Sequence, residues 1–132
     1  MAATAAMAQT AERLAFDAAL RSFEGQLWER STQEWDAFIG AYPKSELKPE
    51  ADQRRLYAQA ELDFLKGDFP AAQRNFATYE AAYPANPRAV LAAVRESEAA
   101  LRMNKPDIAL FPLGKPDQRF AKALAAGAPP EI

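Results

Sequence analysis

The chain of 132 residues contains no cysteine and no histidine. That absence excludes disulfides, thiolate nucleophiles, zinc sites with Cys or His ligands, and Ser-His triads. A lack of cysteine suits a cytosolic or an exported protein equally, so the compartment stays open. Neither sign of charge prevails: 16 Lys and Arg stand against 18 Asp and Glu, for a net charge of −2. The basic residues form no block or stripe, so no patch draws the chain to nucleic acid or anionic lipid. No apolar run approaches the roughly 20 residues that span a bilayer. Glycine is scarce, and no Lys-Ser/Thr follows Gly67-Asp68, which therefore reads as a helix–helix turn rather than a phosphate loop. β-Branched residues are few and alanine dominates the apolar set, which favours helix over strand.

What is present is ordinary for one folded domain: 49% hydrophobic and 26% charged residues. The organising feature is a repeat. Trp28, Ser31, Trp35, Phe38 and Tyr42-Pro43 return 41 residues later as Phe69, Ala72, Phe76, Tyr79 and Tyr83-Pro84. Spacings of three and four place each set along one face of an α-helix. Two such helices with matching stops predict stacked helical hairpins.

Along the chain, Thr10 is placed to N-cap a first helix, with Glu12 in its first turn. Phe16, Leu20, Phe23 and Leu27 form an apolar stripe beside a small-residue stripe of Ala11, Ala15, Ala18 and Ser22. Gly25 loosens the turn that follows. A second helix spans about Glu29 to Tyr42, and Pro43 helps to stop it. Pro49 opens a third, to about Lys66, and Gly67-Asp68 turns into a fourth, about Pro70 to Tyr83. Asn86 caps a fifth with Pro87 at its first position, running to about Met103. Counted this way, the helix starts at Pro49 and Pro87 are 38 apart. The inner turns near Gln26, Gly67 and Asn104 are 41 and 37 apart, and the first connector is three residues longer than the second. Beyond Asn104, Lys105-Pro106-Asp107 turns into a sixth helix that Pro112 interrupts within about two turns, and a last helix that begins near Pro116 and ends by Gly127 carries Phe120 and Leu124.

Ala6-Met7-Ala8 before Gln9 fits a signal-peptidase pattern, without the charged start and apolar core of a full signal. Two readings stand for residues 1–9: the remnant of an export signal, or a flexible Ala-rich extension of the first helix. A helical domain over 10–126 and a tail over 127–132 complete the layout.

Leu65-Lys66-Gly67-Asp68-Phe69-Pro70-Ala71-Ala72, followed by Phe76 and Tyr79, resembles the tetratricopeptide repeat. Ala60 takes the family's small position in the first helix. The Phe-x-x-Tyr-x-x-x-Tyr-Pro ending is most similar to repeats of bacterial periplasmic and outer-membrane-associated proteins, of the Tol–Pal-associated and outer-membrane assembly lipoprotein types. Gln26 replaces the usual turn glycine, and Ser31 the usual alanine. The resemblance implies an all-α, right-handed α-solenoid of antiparallel hairpins, about two and a half repeats plus a C-terminal capping helix. It also implies a non-catalytic module that binds a protein or peptide on its concave face in the periplasm or at the outer membrane, with a cytoplasmic location as the alternative. That face would be lined by the first helix of each repeat: Arg13 and Phe16; Arg54, Tyr57, Glu61 and Phe64; Glu98, Leu101 and Arg102. Aromatic residues with arginine suit a binding surface. The alternative role is a self-associating spacer, or the N-terminal part of a longer repeat protein. Glu61 with Asp63, and Glu96 with Glu98, are two apart and diverge on a helix, so no acid–base pair forms. No catalytic residue, metal or cofactor is expected.

Overall fold

A computed structural model describes residues 2–103, and side chains from Thr10 onward. The degenerate third repeat around Pro106 and Pro112, the end helix from Pro116 and the 127–132 tail lie outside the described residues. Among the described residues there are five helices and no strand: α1 (Ala2–Glu24), α2 (Trp28–Ala41), α3 (Lys48–Leu65), α4 (Phe69–Ala82) and α5 (Arg88–Arg102). The helix α1 begins at Ala2, so Thr10 lies within it rather than capping it. The alanine-rich start is a strong helix former.

The chain divides into two compact units within α3, one ending at Gln59 and the other beginning at Ala60. In the first, α1 and α2 form an antiparallel hairpin. Phe16 packs edge-on against Trp35 and Phe38, with ring centroids 5.2 and 5.6 Å apart. Phe23 meets Trp28 at 5.4 Å near the turn. Trp35, Phe38 and Ser31 are buried, as the stripe predicts, while Trp28 and Tyr42 are half-buried. The apolar stripe of α1 is narrower than expected. Phe16, Ala19 and Phe23 form its buried line, Leu20 is half-buried, and Leu27 is 52% exposed because it has left the helix. The small-residue stripe is not a continuous contact: Ala11 is exposed, Ala15 and Ala18 are half-buried, and only Ser22 is buried.

In the second unit the last turns of α3 lead into α4, which packs on α5. Phe64 meets Phe69 at 5.1 Å, the counterpart of Phe23 and Trp28. Ala71, Ala72, Phe76 and Tyr79 are buried on α4. The helix-end pairs also match: Phe38–Tyr42 at 5.3 Å and Tyr79–Tyr83 at 5.1 Å.

The turns repeat in backbone detail. Gln26 N–H donates to Phe23 O and Leu27 N–H to Ser22 O. Gly67 N–H donates to Phe64 O and Asp68 N–H to Asp63 O. Both are Schellman closures, which require a left-handed residue. That residue is Gln26, with φ of 59°, and Gly67, with φ of 81°. Gly25, expected to loosen the turn, does not adopt the left-handed conformation. Each hairpin is further clipped by a polar pair at equivalent positions. Ser22 Oγ donates to Glu34 Oε1 in the first. In the second, Asn75 Nδ2 donates to Asp63 Oδ2 at 2.6 Å.

The connectors correct the sequence register. Ser45 Oγ accepts from Leu47 N–H at 3.0 Å, and Asn86 Oδ1 accepts from Arg88 N–H at 2.8 Å. These equivalent caps stand 41 residues apart, not 38. Pro49 is the second residue of α3, whereas Pro87 precedes α5. The two prolines are therefore not equivalent, and the first connector, 42–47, is longer than the second, 83–87, by one residue rather than three. In this register the fully buried Ala51 and Ala58 of α3 correspond to the fully buried Ala92 and Ala99 of α5.

Candidate interaction surface

The residues expected on the binding face separate by unit. In the first, Arg13 is 59% exposed and pairs with Asp17 one turn on, its guanidinium 5.4 Å from the Phe16 ring. Arg54 is largely covered. Its guanidinium lies 5.2 Å from the Phe23 ring and reaches Glu50 at 3.3 Å. Its Nε is buried without a hydrogen-bond partner among the described residues. Tyr57 is buried, 5.9 Å from both Phe23 and Trp28. Phe16 is buried as well, so it belongs to the core rather than to any binding face.

In the second unit, Glu61, Phe64, Glu98 and Arg102 gather around a residue the sequence reading did not single out: Arg95. Glu61 accepts from Arg95 Nη2 at 2.7 Å and from Nε at 3.2 Å, a bidentate clasp between α3 and α5. Glu98 accepts from Nη1 at 3.1 Å. The same guanidinium lies 4.0 Å from the centroid of the Phe64 ring. Arg102 lies 5.6 Å from that ring, so Phe64 is flanked by two cations. Of this group Glu61 is buried, Phe64 and Glu98 are half-buried, and Arg102 and Leu101 are exposed.

The electrostatics explain how a charge sits at this depth. Burial alone would lower the pKa of Arg95. Hydrogen bonding and charge from Glu61, then from Glu98, outweigh it and hold the pKa above its ordinary value. The sign matters for linkage. Stability from a raised cationic pKa is complete below the unfolded-state value and lost only as pH rises through the folded one. For arginine both lie in strong alkali, so this cation stays charged through the physiological range. Glu61 is committed to Arg95, and Asp63 points away to Asn75. Among the described residues no group of carboxylates is arranged to hold a metal ion, and no helix is long and apolar enough to cross a membrane.

Arg95 was legible once the register is right. Arg13, Arg54 and Arg95 are spaced by 41 residues, as are Phe23 and Phe64. Each of the later arginines lies over the phenylalanine 31 positions before it. The 38-residue spacing of Pro49 and Pro87 masks this relation. What differs is the company: where α1 has Leu20 and α3 has Tyr57, the next helix of each series has Glu61 and Glu98. Comparison with protein-family models, with curated proteins and with solved structures finds no match for the chain.

Proposed function

We propose that the chain is a tetratricopeptide-type interaction module, a right-handed stack of hairpins whose first helices α1, α3 and α5 present a peptide- or protein-binding face in the bacterial cell envelope. The observation that supports it best is the half-buried Phe64 ring, flanked by Arg95 and by the exposed Arg102. An aromatic ring beside an exposed arginine is the composition that binding hot spots favour. Arg102, exposed and beside Phe64, is the member best placed to meet a partner. A photo-crosslinking residue at position 102 is expected to capture a discrete partner from envelope extract, and one at the exposed Arg74 of α4 is not. Equal capture from both positions, or from neither, removes the reading.

A further inference from the structure

The 41-residue register identifies one face on three helices. On α3 it carries Ala51, Arg54, Arg55 and Ala58. Arg54 lies over Phe23 of α1, Arg55 binds Asp36 of α2, and both alanines are fully buried. This is the face by which α3 packs on the hairpin before it. On α5 the same places hold Ala92, Arg95, Glu96 and Ala99, again with both alanines fully buried and the arginine over Phe64 of α3. Small residues at these two sites let helices approach closely, and the arginine finds the preceding ring.

On α1 the same places read Thr10, Arg13, Leu14 and Asp17. Thr10 is exposed, and Leu14 is 64% exposed. Asp17 stands where the other two helices bury an alanine, and its side chain is 36% exposed. It holds Arg13 at 3.2 Å, and the ring nearest that cation is Phe16 of its own helix, where Arg54 and Arg95 lie over the ring of another. A carboxylate at this site would be driven out of water by a stacked helix, with no room left for the close approach alanine allows. Terminal units of repeat arrays carry a polar outer face for this reason.

We propose that this face of α1 is an end cap. It keeps any further hairpin, from this chain or from a second copy, from stacking on α1 as α3 does, so the array lengthens only away from α1. The inference goes beyond the binding role and holds whatever partner the module takes.

The absence of cysteine makes the test clean. Single variants Asp17→Cys, Leu14→Cys and Ala58→Cys of the full chain are reacted with a thiol reagent over a wide range of protein concentration. Asp17→Cys and Leu14→Cys are expected to react within about twofold of free cysteine at every concentration, and Ala58→Cys roughly tenfold or more slower. Slowing of both α1 variants as concentration rises would reveal a second copy on this face and overturn the cap. Protection of both at every concentration would reveal cover from the chain itself and overturn it equally. Should Ala58→Cys fail to fold, the two α1 variants still decide the matter, because their sites are at the surface.

Discussion

The hairpin turn after α1 and the one after α3 have the same backbone and different chemistry. The residue preceding α2 is Leu27, with φ −87° and ψ 75°. The residue preceding α4 is Asp68, with φ −86° and ψ 73°. Asp68 accepts from Ala71 N–H at 3.2 Å, whereas Leu27 offers no cap and exposes its side chain. One position earlier, Gly67 takes the left-handed conformation without a side chain, and Gln26 takes it with one. Packing of the aromatic stripe therefore sets the turn, and local preference only adjusts its cost. The same contrast holds at the core. Ser31 is fully buried with its hydroxyl unpaired among the described residues, as is Trp35 Nε1, while the equivalent sites in α4 are Ala72 and Phe76.

The largest effects test whether the stripes are equivalent. Trp35→Ala and Phe76→Ala are each expected to lose about 3–5 kcal/mol in urea denaturation, since both side chains are fully buried. A loss below about 1 kcal/mol for one of them would break the equivalence of the hairpins. Next comes the pair of arginines. Arg95→Met removes the cation that faces the buried Glu61 and is expected to cost about 3 kcal/mol. Arg54→Met removes a stack and an exposed-side contact and is expected to cost about 1 kcal/mol. Adding Glu61→Leu to Arg95→Met, which copies Leu20 of α1, should recover most of the loss, and denaturation of the double variant measures it.

The smallest effects sharpen the comparison of the turns. Leu27→Asp, copying Asp68, should stabilise by about 0.5–1 kcal/mol, and Asp68→Leu should lose a similar amount. Gln26→Gly should gain up to about 1 kcal/mol by removing left-handed strain, and Gly67→Gln should lose about as much. No atom lies within 4 Å of a Cβ built on Gly67, so that loss would come from the backbone alone. Thermal melts of the four variants read these shifts.

The aromatic periodicity made α2 and α4 and their buried lines legible to within a residue, because large side chains at helical spacing have few other ways to be covered, while the Pro, Gly-Asp and Asn signals bounded α3 and α5 about as closely. Gln26 was legible as the left-handed residue only through the repeat, which sets it 41 positions before Gly67; local propensity alone favours the adjacent Gly25. The position of Arg95 is obscured when the prolines are taken as helix starts, because α3 is begun by the Ser45 cap and merely tolerates Pro49 in its first turn. Aligning on the hydrogen-bonding residues Ser45 and Asn86 would have put the three arginines in one column. The early start of α1 follows from alanine propensity; it displaces the cap at Thr10 and agrees with residues 1–9 read as an Ala-rich extension of the first helix.

The hairpin clip has a consequence for how two near-copies avoid confusion. The first uses a hydroxyl on the leading helix and a carboxylate on the trailing one, and the second reverses the arrangement with a carboxylate leading and an amide trailing. Were the trailing helices exchanged, Glu34 would be set against Asp63, two anions in the place of a hydrogen bond. Exchange of the trailing helices would therefore carry an electrostatic cost at this contact that the native pairings avoid, a discrimination through repulsion rather than through fit.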